Sequence, residues 1–284
     1  MRGQPLRAAV VGHPISHSQS PAIHGHWLEM SGIAGRYGLF DFDPADFDRE
    51  IRALAEQGYQ GVNVTVPFKE AALAMADSTE ATAQRIGAAN TLVFERGRIS
   101  ARNTDAYGFW ENLRSGLSND RRVPDRAVVF GAGGAARAVL VALQAQGVNH
   151  IWLANRTLSR AQGLADELAA GAMIEAMSWT EAEDMLDREA VPLIINTSSR
   201  GMKGENPITA RLAAQGPETL VNDIVYNPLK TKLLETAAAQ GSRTIDGLGM
   251  LLHQARPAFE AFFGGRVVVD DTLRQKIEHN MGLV

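Results

Sequence analysis

The chain contains no cysteine, which removes disulfides, thiolate metal sites and a cysteine nucleophile from consideration. It has no apolar run of membrane-spanning length, and its first residues, Met1-Arg-Gly-Gln-Pro-Leu-Arg7, enter an apolar pattern without a signal-peptide core. The expected setting is cytoplasmic, with no membrane partner. Nor is there a surplus of positive charge: 28 Lys and Arg against 32 Asp and Glu leave a net charge of −4 and a pI near 6.0, so no nucleic-acid partner is expected either. The seven histidines form no H-E-x-x-H pattern or clustered ligand set, so His13, His17, His24 and His26 read as turn or helix residues and no metal is expected. No serine occupies a G-x-S-x-G elbow. What remains, 45% hydrophobic and 21% charged over 284 residues, is a soluble composition with the length of two ordinary domains.

Residues 127–160 carry the sharpest signal. Ala127 to Phe130 has the look of a buried parallel strand, and Gly131-Ala132-Gly133-Gly134-Ala135-Ala136 fits the G-x-G-x-x-G/A turn that follows such a strand in dinucleotide-binding folds. Ala136, Val139, Leu140 and Leu143 then recur with helical spacing, which puts one stripe on a sheet while the helix N-terminus offers its free N–H groups to a pyrophosphate. The next apolar strand, Ile151 to Ala154, ends where an NAD site usually carries an acid for the ribose 2′-hydroxyl; here stand Asn155, Arg156 and Thr157, with Arg160 one turn on. Two guanidiniums there suit the 2′-phosphate of NADP, and they would oppose the helix dipole were no anion bound.

The first third alternates strand and helix: Ala8–Val11, a helix capped by Ser20 with Pro21 behind it, Tyr37–Phe40, a second helix opened by Asp43-Pro44, and Gly61–Val66 stopped by Pro67. Thr91–Glu95 and Ile99–Arg102 flank Arg96-Gly-Arg98, a hairpin turn. Residues 115–126 are polar and carry breakers, the approach to the nucleotide domain. Leu193–Ile195 and Leu220–Val225 extend a doubly wound sheet, and Leu248–Phe263 and Asp271–Met281 are helical, their packing partner not readable from spacing.

Polar residues gather at the ends of the N-terminal strands, where an open α/β sheet places its ligand. They are Gly12-His-Pro-Ile-Ser-His-Ser18-Gln-Ser20, Asn63-Val-Thr65-Val-Pro-Phe-Lys69, Ala89-Asn90-Thr91 and Asn103-Thr104-Asp105. Hydroxyls, amides, one amine and one carboxylate suit a small polyhydroxylated ligand. Taken singly, each has an ordinary role as a cap, a turn or a satisfied strand residue. A Lys69–Asp105 pair would serve proton transfer to an alcohol that exchanges hydride with a nicotinamide; the alternative is a surface ion pair.

With Gly247-Leu-Gly249-Met-Leu-Leu-His-Gln254 added, these motifs together resemble the shikimate dehydrogenase family across nearly the whole chain. The resemblance implies an α/β substrate domain over 1–105, a Rossmann-type doubly wound NADP-binding domain over 106–245, and C-terminal helices over 246–284 returning to the substrate domain. It implies NADP-dependent reduction of 3-dehydroshikimate to shikimate, with shikimate and 3-dehydroshikimate as small-molecule partners and a monomer or homodimer as the working form. By motif, Ser18 and Ser20 resemble the substrate-carboxylate pair, with Tyr226 nearby; Asn63, Thr65, Asn90, Asp105 and Gln254 the hydroxyl binders; and Lys69 and Asp105 the catalytic pair. The Gly131, Ala132, Gly133, Gly134 and Ala135 turn resembles the family's pyrophosphate loop, and Asn155, Arg156, Thr157 and Arg160 its 2′-phosphate clamp. Thr197, Ser198, Met202, Ile224, Gly247 and Gly249 lie in segments similar to those lining the nicotinamide. Departures are few: Ala106 replaces a frequent glycine, and Arg200 brings a charge into the loop after Asn196, where it reads as a solvated loop arginine. The competing expectations are an NAD-dependent quinate or quinate/shikimate dehydrogenase and a non-catalytic sensor of shikimate-like compounds.

Overall fold

The computed structural model describes residues 4–117 and 122–283; positions 118–121 of the expected approach to the nucleotide domain, and residues 1–3, lie outside the described residues. The chain divides into two compact units, Met1–Thr104 with Leu252–Gly282, and Asp105–Leu251.

The first unit runs β1 (Leu6–Gly12), α1 (Ser20–Ser31), β2 (Gly35–Asp41), a 3-10 turn (Pro44–Asp46), α2 (Phe47–Glu56), β3 (Gly61–Val64), α3 (Lys69–Ala74), β4 (Ser78–Thr79), α4 (Ala81–Ile86), β5 (Thr91–Glu95) and β6 (Arg98–Arg102). Its sheet has the order β2-β1-β3-β5-β6-β4. β1 pairs in parallel with β2 and β3, and β5 turns the sheet antiparallel. Phe47, Ile51 and Leu54 form the buried stripe of α2, packed with Val11, Val62, Phe68 and Leu92 on one face. Asp43 opens the 3-10 turn by accepting from the Ala45 amide.

Two local expectations change. Ser20 is not the cap of α1: Gln19 holds that position with helical backbone and no capping side-chain bond. The local side-chain bond comes from Ser18 instead, whose Oγ accepts from the Ser20 amide at 3.3 Å; the helix begins one residue earlier than a Ser20 cap would set it, and Ser20 is drawn into the buried face. In the hairpin, β6 starts at Arg98, paired with Glu95, and the turn is only Arg96-Gly97, both with positive φ (51° and 74°), the backbone of a type I′ turn.

The second unit runs α5 (Asp105–Ser115), β7 (Arg126–Phe130), α6 (Gly134–Ala145), β8 (His150–Asn155), α7 (Leu158–Glu167), β9 (Met173–Ser178), α8 (Trp179–Arg188), β10 (Leu193–Asn196), β11 (Leu220–Asp223), α9 (Lys232–Ala239) and β12 (Arg243–Ile245). All pairings in its sheet are parallel, in the order β12-β11-β10-β7-β8-β9. The order reverses between β7 and β10, and such a switch point opens a crevice at the carboxyl ends of the strands. Ala136, Val139, Leu140 and Leu143 of α6 are fully buried.

The helix α10 (Leu248–Phe263) starts in the second unit and continues into the first, where it is followed by α11 (Asp271–Asn280). In the first unit Phe259 packs against Trp27 with ring centroids 5.5 Å apart, and the Trp27 indole donates to the Val268 carbonyl at 3.0 Å. That gives the C-terminal helices the packing partner their spacing left open.

Candidate active site

In the first unit the parallel strands β2, β1 and β3 end together. Beyond β3, the Thr65 amide donates to the Val11 carbonyl at 2.9 Å and the His13 amide to Val66 at 3.1 Å, so the Gly12–Ser20 loop and the Thr65–Lys69 loop leave the sheet side by side. Gly12 is required there: a Cβ would lie 2.6 Å from Thr65 Cγ2 and 2.7 Å from Ile15 Cδ1. Asp41, at the end of β2, braces the first loop by accepting from the Ile15 amide at 3.3 Å and meeting His13 Nδ1 at 2.6 Å. The His13 bond holds the Asp41 carboxyl below its usual range.

Behind these loops lies a continuous side-chain network. The Tyr37 hydroxyl donates to Asn63 Oδ1 at 2.7 Å, and Asn63 Nδ2 donates to Thr91 Oγ1 at 3.0 Å and to the Asn90 carbonyl at 3.3 Å. Thr91 in turn donates to Asn90 Oδ1 at 3.0 Å, which also accepts from the Thr104 amide at 2.8 Å. Asn90 Nδ2 reaches Thr104 Oγ1 at 2.9 Å and Gln254 Oε1 at 3.4 Å. Asn63 therefore has both amide hydrogens engaged internally and retains only acceptor capacity. Burial drives the Tyr37 hydroxyl well above its ordinary pKa. Tyr37 is stacked at 3.9 Å on His24, which is fully buried with neither ring nitrogen hydrogen-bonded, and burial lowers its pKa to about 3. The neutral ring holds Tyr37 flat, and Tyr37 orients Asn63.

Lys69 is the first residue of α3, and its carbonyl accepts from the Ala89 amide at 2.8 Å, which ties its helix to the Asn90 segment. Ser18 and Lys69 are partly exposed, Ser20 is buried, and Thr65 and Gln254 are half-buried. Asp105, half-buried, opens α5 directly after Thr104. Sequence motifs reached most of this network; Tyr37, Thr91 and Thr104 were not among the expected binders. Thr91 and Thr104 lie inside the Ala89-Asn90-Thr91 and Asn103-Thr104-Asp105 motifs, whereas Tyr37 reads only as a strand residue.

In the second unit, Gly131 has φ +103°, and a Cβ there would press on Thr197 Oγ1 at 2.8 Å and the Ser198 amide at 3.0 Å; only glycine lets β7 turn this close to the loop after β10. At Gly133 and Gly134 a Cβ would meet nothing within 4 Å. These exposed glycines at the start of α6 leave open space in front of its unbonded amides, the cradle a pyrophosphate needs. Ala132 and Ala135 complete the turn, both half-buried. Asn155 ends β8 with its Nδ2 on the Thr157 carbonyl at 2.9 Å. Arg156, Thr157 and Arg160 are exposed, and neither arginine has an ion-pair partner among the described residues. The donor set therefore fits a 2′-phosphorylated dinucleotide.

The neighbouring loop is organised from below by Asp223. Its carboxylate accepts from Asn196 Nδ2 at 2.8 Å, the Val225 amide at 3.0 Å and Thr231 Oγ1 at 2.6 Å, while burial raises its pKa. Asn196 Oδ1 accepts from the Ser198 amide at 2.9 Å, and the Thr197 hydroxyl donates to the Phe130 carbonyl at 2.8 Å. Asn196 and Asp223 were not anticipated as organisers, although a carboxylate ending an apolar strand is the available sign. Met202 is exposed, Ile224 and Tyr226 are half-buried, and Gly247 and Gly249 are buried. At Gly247 a Cβ would overlap the Ile224 carbonyl and at Gly249 the Asn112 side chain, so both are glycines by packing. Arg200 corrects an expectation: it is not a solvated loop arginine but lies over the Trp179 ring, 4.7 Å from its centroid.

A doubly wound parallel sheet with an open phosphate turn and a cationic strand end, accompanied by a second α/β unit lined with hydroxyls and amides, defines an NADP-dependent oxidoreductase acting on a CH–OH group. Residues 10–92 match the family model for the shikimate dehydrogenase substrate binding domain, and residues 119–225 that for shikimate / quinate 5-dehydrogenase. The chain is 48% identical over 275 residues to the shikimate dehydrogenase (NADP(+)) of Paramagnetospirillum magneticum, covering 96% of this chain and 98% of that one. It superposes on the Thermus thermophilus shikimate 5-dehydrogenase, solved with NADP(H) and shikimate, with a TM-score of 0.83 at 36% identity, covering 96% and 99% of the two chains. The NAD complex of Corynebacterium glutamicum quinate dehydrogenase gives 0.89 at 30% identity, covering 98% and 100%. The chain belongs to the shikimate dehydrogenase family.

Proposed function

We propose that Lys69 and Asp105 carry the proton chemistry of the reaction this chain performs, the NADP-dependent, reversible reduction of 3-dehydroshikimate to shikimate in the shikimate pathway. The observation that supports this assignment is the bond from the Ala89 amide to the Lys69 carbonyl, which sets Lys69 at the edge of the Asn63–Asn90–Gln254 network. In this reading Ser18, Ser20 and Tyr226 hold the substrate carboxylate. Thr65, Asn90, Gln254 and Asp105 bind its hydroxyls, with Asn63 contributing through its acceptor oxygen. The Gly131–Ala135 turn holds the pyrophosphate, Asn155, Arg156, Thr157 and Arg160 the 2′-phosphate, and Thr197, Ser198, Met202, Ile224, Gly247 and Gly249 line the nicotinamide.

NADPH supplies the hydride when bound. The Lys69 ammonium donates its proton to the carbonyl oxygen as it becomes an alkoxide, so that C=O, hydride and proton together give CH–OH, and Asp105 orients the reacting hydroxyl. In oxidation the neutral amine takes the same proton back. The working form is one chain or a homodimer of it, in the cytoplasm; no helix among the described residues is long and apolar enough to cross a membrane.

The similarity to a quinate dehydrogenase extends to sequence as well as fold, and the residues after β8 separate the two readings: an acid there would favour NAD, and Asn155-Arg156 favours NADP. A 340-nm assay with shikimate or quinate, each crossed with NADP or NAD, tests the assignment. Turnover is expected mainly with shikimate and NADP; preference for quinate and NAD would overturn it, and silence in all four would favour a sensor.

A further inference from the structure

α2 and the β5–β6 hairpin border a groove of about 380 Å³ lined by Arg52 and Glu56 of α2, Tyr59 of the following loop, and Phe94, Arg96 and Arg98 of the hairpin. None of these residues belongs to the site above. Tyr59 precedes β3, while Asn63 and Thr65 sit toward and beyond its far end, so the groove opens at the opposite end of the strand.

Arginines elsewhere on this chain are commonly held by acids: Arg49 by Asp46 at 2.7 Å, Arg102 by Glu80 at 3.3 Å, Arg137 by Glu167 at 2.5 Å. Arg52, Arg96 and Arg98 have no ion-pair partner among the described residues, and neither does Glu56. Arg156 and Arg160, the candidate 2′-phosphate clamp, share that condition. Arg96 is also held at φ +51°, in a two-residue turn that favours Asn, Asp or Gly; the backbone gains nothing from an arginine there, so what the residue adds is its guanidinium. The aromatic wall is fixed in turn. The Arg7 guanidinium covers the Tyr59 ring 4.8 Å from its centroid, and Phe40 meets the same ring edge-on at 5.9 Å.

We propose that this groove is a second ligand site, which takes a small phosphomonoester carrying a flat unsaturated ring. The phosphate dianion is met by the three guanidiniums, whose forked N–H groups match phosphate oxygens, and the ring lies against Tyr59 and Phe94. The volume suits a ligand of that size, and three cations against one carboxylate select a dianion over a neutral ring.

The test is calorimetric titration of phenyl phosphate into the full-length protein in saturating NADP, which occupies the other phosphate site. One saturable site is expected, at least about tenfold tighter than for inorganic phosphate, with affinity falling as salt rises. The Arg96→Gly, Arg98→Gln variant should lose about tenfold or more in that affinity while its turnover of shikimate with NADP is unchanged. Glycine adopts φ +51° freely, so Arg96→Gly alone should keep or raise the melting temperature and still weaken binding. Equal affinity in the variants, equal affinity for inorganic phosphate, or no binding in the millimolar range would each overturn the proposal.

Discussion

The guanidinium of Arg200 lies over the indole of Trp179, 4.7 Å from the ring centroid. The indole is itself fixed, tilted against Phe130 at 4.8 Å with its Nε1 donating to Glu183 at 3.1 Å. On the other side, the Arg200 amide donates to Ser198 Oγ at 3.2 Å and its carbonyl accepts from Asn196 Nδ2 at 3.0 Å. The pair thus pins the loop after β10, which carries Thr197 and Ser198, to the start of α8. A cation over indole contributes about 0.5–1 kcal/mol at a partly exposed site. A double-mutant cycle of Arg200→Ala and Trp179→Leu, followed by urea unfolding, should return a coupling of that size. Strictly additive losses would mean that the stack contributes nothing.

Arg156 and Arg160 sit at positions i and i+4 around the start of α7, where a cation is unfavourable to the helix dipole unless an anion is bound. Replacing both by alanine should therefore weaken NADP far more than NAD, by about 1–3 kcal/mol for lost charged hydrogen bonds. Dissociation constants for the two dinucleotides provide the check, and kcat/KM should follow. Equal losses for both would place the 2′-phosphate elsewhere.

The elements legible in the sequence were those whose pattern is local. The G-x-G-x-x-A turn announced β7 and α6, and the Phe47, Ile51 and Leu54 spacing announced α2; Asp43-Pro44 opens not that helix but the 3-10 turn before it, and Asp46 stands at the N-cap of α2. Ser20 misled because the helix already begins at it, with its own amide held by Ser18 Oγ two residues earlier and no side chain capping the turn. The polar motifs marked the ends of strands, but not which groups would be satisfied internally: that Asn63 has no free amide hydrogen depends on Asn90 and Thr91, 27 and 28 positions away. Arg200 read as solvated because its partner, Trp179, arrives from another strand-to-helix junction. Non-local pairing is what spacing does not carry.

Gly249 is glycine because Asn112 occupies the space its Cβ would take: Asn112 Cγ would lie at 2.7 Å, with Oδ1 closer still. Asn112 is buried and donates to the Asp246 carbonyl at 2.8 Å, so it cannot move aside without losing that bond. Gly249→Ala should destabilise the protein by about 2–4 kcal/mol, combining overpacking with an unpaired buried amide. Asn112→Ala removes the obstacle, and adding it to Gly249→Ala should cost less than the sum of the two single changes. Additivity in denaturant unfolding would show that the two residues do not compete for this space.

His24 makes stability pH-dependent in a direction its environment fixes. Burial holds its folded pKa at about 3, against 6.5 for a free imidazole, so between these values the unfolded chain binds a proton that the native chain refuses. Its contribution is fully present above about pH 6.5 and is lost as pH falls toward 3, with a slope near 1.4 kcal/mol per pH unit in mid-range. Neither nitrogen has a hydrogen-bond partner, so His24→Phe keeps the stack on Tyr37 without orphaning a polar group and should be close to neutral at pH 7. Taken from pH 7 to pH 5, the parent protein should lose about 2 kcal/mol more unfolding free energy than His24→Phe, because every other titrating group is common to both. Parallel pH profiles for the two proteins would mean that the imidazole is protonated in the folded state and that the dry stack beneath Asn63 does not exist.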